Sequence, residues 1–186
     1  MTIYIALLRG INVGGKNIIK MAELKRAFEI IGLSEVQTYI QSGNVLFKSN
    51  EVEGTLRKKI ELEIETGFGF PVTVVLRSAA ELEGIIGNLP FSNEEISQAE
   101  SSSEAESLYV SLLTHAPFQE KIELLNVYRS ESDKYQILGR EVFLLFSNSI
   151  RNSKLANNLQ KLDVPATVRN WKTINKLAAL SKAMES

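Results

Sequence analysis

The 186-residue chain has no cysteine and a single histidine. The first absence excludes disulfides, thiol catalysis and thiolate-bound metal. The second leaves His115 as the one imidazole available to a Ser-His-Asp triad, and no nucleophile elbow accompanies it. One imidazole without thiolates also supplies too few ligands for a transition-metal site. His115 follows a predicted strand and precedes Ala116-Pro117, which reads as a turn or surface position. Charge of one sign is lacking too. The net charge is −1, so no global field draws the chain to nucleic acid or an anionic membrane. No apolar run approaches the ~18 residues of a membrane helix. The opening "MTIYIALLRG" has no basic residue before its short apolar run, unlike a signal peptide. These absences lead us to expect a soluble, cytoplasmic protein.

What is present is ordinary in amount: 44% hydrophobic and 23% charged residues. Its order is informative. "TIYIALL" (2–8) is a buried-strand run. Met21, Leu24, Phe28 and Ile31 follow helical spacing, and Gly32 stands where a helix ends. "VQTYI" (36–40) and "NVLFKS" (44–49) flank Gln41-Ser42-Gly43 as a hairpin. Val52, Leu56, Ile60 and Ile64 form a second helical stripe, and "VTVVL" (72–76) is a strand. This is the β-α-β-β-α-β order of ferredoxin-like units. A helix over about 78–87 follows it.

The next stretch, "NLPFSNEEISQAESSSEAES", holds five glutamates, six serines and no base. It reads as an acidic, Ser-rich linker over 89–107. The earlier order then returns: strand 108–114, helix from Pro117 to about Tyr128, hairpin 134–138 and 141–146 around Gly139-Arg140, helix 154–162, strand 165–169 and a last helix from about Trp171. The expected fold is α+β, with two ferredoxin-like units of antiparallel sheet, a connecting helix and a C-terminal helix. The expected domains are 1–88 with the trailing helix, and 108–186 with the C-terminal helix.

"ALLRGINVGGKN", "TYIQSGNVLF" and "VPATVRNWKTINKLAAL" resemble, in order, a bacterial family known as domain of unknown function 1697. The resemblance covers nearly the whole chain. It implies two similar alpha-beta plait units and carries no catalytic residue, cofactor or reaction with it.

In the ferredoxin-like order, the loop after the first strand and the turn between strands two and three share one sheet edge. Arg9, Asn12, Lys16, Gln41 and Asn44 are thus expected to converge, with Gly14 and Gly15 letting a ligand approach the backbone. The expected ligand is a small phosphate- or nucleotide-like anion. Gly10, Gly15 and Lys16 satisfy G-x-x-x-x-G-K, but Asn17 replaces the Ser or Thr of a P-loop and "NIIK" delays the helix. The plainer alternative is that the glycines only permit a tight loop and that Gln41 and Asn44 satisfy hairpin backbone. In the second half, Arg151, Lys154, Arg169, Asn170, Trp171 and Lys172 form a basic, aromatic-bearing cluster. Asn170 and Ser153 are candidate helix caps there, and Lys154, Asn170 and Trp171 are the secondary ligand candidates. Against this stand a solvated cationic face and ordinary packing of Trp171. Glu23, Glu29 and "ELEIET" read as solvent faces rather than catalytic carboxylates. The rival functions are an RNA-binding module, stacking bases on Tyr4 and Phe47, and a protein-assembly module.

Overall fold

The structure, a computed structural model, describes residues 1–103 and 105–185. It is an α+β protein with two four-stranded antiparallel sheets. The chain clusters into two compact units, one of Met1–Ile86 joined by the residues from Ile174 onward, the other of Gly87–Thr173.

In the first unit, β1 (Thr2–Leu8), β2 (Ser34–Tyr39), β3 (Asn44–Ser49) and β4 (Val74–Ser78) stand in the order β2-β3-β1-β4. Central β1 pairs antiparallel with both β3 and β4. Helices α1 (Met21–Ile30) and α2 (Glu53–Phe68) form the crossovers. Their apolar stripes bury Leu24, Phe28, Leu56, Ile60 and Ile64 together with Tyr4, Ala6, Leu8, Val45 and Phe47 of the sheet. Alternation along a strand puts Ile5, Leu7, Leu46 and Val75 on the other face, and these are buried as well. Burial on both faces is why β1 reads as a continuous apolar run. α3 (Ala79–Gly87) starts on a reciprocal pair, with Ser78 N donating to Glu81 Oε1 and Glu81 N to Ser78 Oγ.

In the second unit, β5 (Leu108–Leu113), β6 (Asp133–Leu138), β7 (Glu141–Phe146) and β8 (Ala166–Asn170) repeat the arrangement as β6-β7-β5-β8. The crossovers do not repeat. α4 (Asn93–Ser101) precedes this sheet, and the helix expected from Pro117 to about Tyr128 is α-helical only over α5 (Gln119–Glu123). After α5 the chain tightens to a 3-10 turn at Asn126–Tyr128. The helix expected over 154–162 is replaced by a 3-10 helix at Ala156–Leu162, preceded by a 3-10 turn at Ile150–Asn152. The reason is local. Asn158 Nδ2 donates to Lys154 O at 2.6 Å, taking the carbonyl that an α-helix would give to the Asn158 amide. That amide donates instead to Leu155 O. A polar side chain thus competes with the helical ladder.

Two boundary expectations are corrected. The acidic stretch is not a linker throughout, because α4 occupies Asn93–Ser101 within it. Ser92 Oγ accepts from Glu95 N at 3.1 Å and Glu95 Oε1 from Ser92 N at 3.1 Å, a full capping box. Ala99 is buried, and Lys134 on β6 reaches Glu95 Oε2 at 3.0 Å. The last helix, α6 (Trp171–Ala183), clusters from Ile174 onward with the first unit rather than the second. A hollow lined by Met1, Ile3, Ser34, Glu35 and Lys48 also includes Met184 and Glu185. The buried stripe Ile174, Leu177, Ala178 and Ser181 demands an apolar partner, and its spacing does not say which.

Candidate functional site

The glycine-bearing loop after β1 is a small hairpin. Val13 and Lys16 form an antiparallel bridge, Lys16 N donates to Val13 O at 3.0 Å, and Asn12 N donates to Asn17 O at 3.1 Å. Gly14 and Gly15, at φ 58 and 72, are the central pair of this turn. Two consecutive positive φ angles define the type I′ turn, which only glycine and a few polar residues adopt easily. The G-x-x-x-x-G-K pattern therefore arises from turn geometry.

Asn12 ties this hairpin to the β2–β3 turn. Its Nδ2 donates to Gln41 O at 2.8 Å and to Ile19 O at 3.0 Å, while its Oδ1 accepts from Ile19 N at 2.8 Å. Leu8 N donates to Gly43 O at 2.8 Å across the same junction. A Cβ on Gly43 would lie 2.8 Å from Ile11 Cδ1 and 2.9 Å from Leu8 Cβ, so the Leu8 and Ile11 side chains already fill the space that a side chain would need. Asn44 is fully buried and donates to Tyr39 O and Ser42 Oγ, each at 3.0 Å. The loop and the turn are thus neighbours, and the two asparagines are scaffold rather than ligand readers. Ile40, in the same turn, is held at φ 48, a left-handed conformation costly for a β-branched side chain.

What the scaffold leaves outward is cationic and amide-rich. Arg9, Gly14, Gly15, Lys16 and Gln41 are all exposed. The side chains of Arg9, Lys16 and Gln41 make no hydrogen bond or ion pair among the described residues, and the Gly14 and Gly15 amides have no partner there. The rim is fixed from inside and unspent outside.

The secondary candidates separate. Asn170 Oδ1 accepts from Thr173 N at 2.8 Å and so caps α6. Trp171 packs against Phe143, with ring centroids 6.4 Å apart, in a cluster with Ala99, Leu108 and Leu145. Lys154 precedes Leu155, which is buried in a different cluster with Leu144, Phe146 and Leu162. Leu144 and Leu145 point to opposite faces of the sheet, so Lys154 and Trp171 are not one site. Arg169 is not part of a solvated face. It is buried, with Nη1 donating to Thr167 Oγ1 at 2.7 Å and to Val168 O at 3.0 Å, and burial pushes its guanidinium down to about 10. Arg77 holds the same place on β4, buried and donating from Nη1 to Leu76 O at 2.8 Å. Nothing in the sequence pattern marked either arginine as interior: β4 is buried almost throughout, and in β8 the alternation buries the polar Thr167 and Arg169 rather than the apolar Ala166 and Val168.

Tyr4 and Phe47 stack on each other at 5.7 Å, and Phe28 of α1 meets Phe47 edge-on. They face the helices, so they present no platform to a base. Burial, then Glu53 and Glu81, push the Tyr4 phenol above its ordinary value, and its Oη donates to Glu51 O at 3.0 Å. Among the described residues, no group of three or more His, Asp and Glu side chains could hold a metal, and no helix is long and apolar enough to cross a membrane.

These features define a two-sheet α+β protein with a stapled, cationic rim. A family model described as "Protein of unknown function (DUF1697)" matches residues 1–143, and the chain belongs to that family. The match includes the rim and stops before Lys154, Asn170 and Trp171. A solved structure, titled as that of conserved bacterial protein SP0830 from Streptococcus pneumoniae, is similar at 27% identity with a TM-score of 0.69. That likeness covers 97% of this chain and 98% of the other. No curated protein matches the chain.

Proposed function

We propose that the chain is a pair of ferredoxin-like units, working in the cytoplasm, that binds a small phosphate- or nucleotide-like anion at the rim of the first. The β2-β3-β1-β4 order with two crossover helices supports the fold reading. The observation that carries the functional one is that Arg9 and Lys16 stand unpaired beside two partnerless glycine amides on a backbone fixed by Asn12. Cations supply charge, and the amides supply directed donors. Gln41 adds an amide that distinguishes one anion from another. The arrangement offers binding; it brings no general base or nucleophile to the rim, so no reaction follows from it.

A thermal-shift titration with phosphate, sulfate and AMP tests the reading. Ligand that binds only the folded chain raises the melting temperature with its concentration. The rise is expected in the native chain and lost in Lys16→Ala and Arg9→Ala, both of which should melt like the native chain without ligand. No rise with any of the three anions, or an undiminished rise in both variants, would overturn it.

A further inference from the structure

The second unit contains a polar cleft of about 770 Å³ that none of the rim residues touches. That volume is in the range of small-molecule sites. One wall is the segment after β7, with Asn148, Ser149, Asn152 and Lys154; the facing wall is the entry to β6, with Arg129 and Asp133.

The walls are fixed by their own bonds. Ser153 Oγ donates to Asp133 Oδ2 at 2.9 Å and accepts from Ala156 N at 3.0 Å, which joins the two walls. Ser147 N donates to Ser132 O at 2.8 Å, a second join. Arg129 is held with its guanidinium carbon 4.2 Å over the Tyr135 ring. Ser149 Oγ accepts from Arg151 N at 3.3 Å, leaving its own hydroxyl proton unassigned.

The groups turned to the cleft are unspent. The side-chain amides of Asn148 and Asn152 and the Lys154 ammonium make no hydrogen bond or ion pair among the described residues. Each amide offers two donors and an acceptor. Asp133 has carboxylate capacity beyond the Ser153 bond. Among the described residues of the lining, the charged groups are two cations, Arg129 and Lys154, and one carboxylate, Asp133. Among the described residues, apolar lining is confined to Ala105, Val127 and the Tyr128 ring.

We infer that this cleft binds a small phosphorylated sugar. Two cations against one carboxylate favour a compact dianion, and the amides, serine hydroxyls and Asp133 suit several hydroxyls. The scarcity of apolar lining disfavours a base or an acyl chain.

Isothermal titration of the full chain with glucose 6-phosphate and ribose 5-phosphate tests this. At least one should bind saturably, with affinity lowered tenfold or more in Lys154→Ala and Asn152→Ala, and unchanged in Lys16→Ala. Both cleft variants alter exposed side chains without partners, so their melting temperatures should match the native chain. Three results would overturn the inference: no saturable binding of either sugar phosphate, equal binding of inorganic phosphate or AMP that persists in Lys16→Ala, where the rim is disabled, or sugar-phosphate binding that survives both cleft variants. Loss only in Lys16→Ala would assign the sugar phosphate to the rim instead and equally end the cleft reading. Failure here leaves the rim untouched, because its test uses different residues.

Discussion

Four asparagines in or at the edge of loops divide between two uses. Asn12 and Asn44 of the first unit spend their amides inward, on Gln41 O, Ile19 O, Tyr39 O and Ser42 Oγ. Asn148 and Asn152 of the second unit make no such bonds among the described residues. The residue type is the same, so type alone does not tell scaffold from surface. The difference is whether two chain segments must be joined at that point. In the first unit a six-strand-residue hairpin and a glycine hairpin meet edge to edge, and their backbone groups need partners. In the second unit, serine hydroxyls make that join, as Ser153 does to Asp133, and the amides are left over.

This contrast is sharpest at Gly43. Gly43→Ala places a Cβ within 2.9 Å of Leu8 Cβ at φ 91. It should cost about 3 kcal/mol, from steric overlap and backbone strain together. The urea midpoint measures it, and a loss under about 1 kcal/mol would mean the loop and turn are less tightly joined than described. Asn12→Ala should cost about 2 kcal/mol, since three bonds go and Ile19 N and two carbonyls lose their partner. Asn148→Ala is the control and should stay within ~0.5 kcal/mol of the native chain. Equal losses in the two variants would erase the distinction between spent and unspent amides.

Ile40 gives an effect of opposite sign. Its φ of 48 suits asparagine better than a β-branched residue, and its side chain is 47% exposed. Ile40→Asn should raise stability by about 1 kcal/mol if the strain is not offset by contacts. A fall in the urea midpoint would show that the exposed isoleucine is doing more packing than its exposure suggests.

Much of the fold was legible. The strand runs, the glycine after α1 and both hairpins follow from periodicity and turn chemistry. The neighbouring of the 9–20 and 41–44 segments follows from strand order. Three features were hidden for physical reasons. The capping box Ser92-Asn93-Glu94-Glu95 was present in the acidic stretch, but the abundance of serine and glutamate obscured a spacing that marks a helix start. The 3-10 geometry of Ala156–Leu162 goes with one asparagine side chain capturing one carbonyl, which leucine spacing does not reveal. At the rim, the sequence offered Arg9 and Lys16 as the charge and Asn12, Gln41 and Asn44 as polar readers, with hairpin satisfaction as the plainer alternative for Gln41 and Asn44; the bonds show that Asn12 and Asn44 hold the frame while Arg9 and Lys16 remain outward.

The smallest expected effect is electrostatic and belongs to α4. Ser92's backbone amide, and then Lys134, hold the Glu95 carboxyl below its ordinary value. A carboxyl lowered in the folded state stabilises fully above its unfolded pKa and ceases to do so as pH falls through the folded one. The difference in urea midpoint between the native chain and Glu95→Gln should therefore be present at neutral pH and shrink below the carboxylate range. A difference that does not change with pH would mean the capping geometry, not the charge, carries the effect.

The rim itself is best tested by following the backbone amide resonances of Gly14 and Gly15 by ¹⁵N–¹H NMR during a phosphate titration of the full chain. Both should shift saturably in the native chain and stay still in Lys16→Ala. Resonances that remain fixed in the native chain, or drift without saturation in both proteins, would contradict anion binding at the rim.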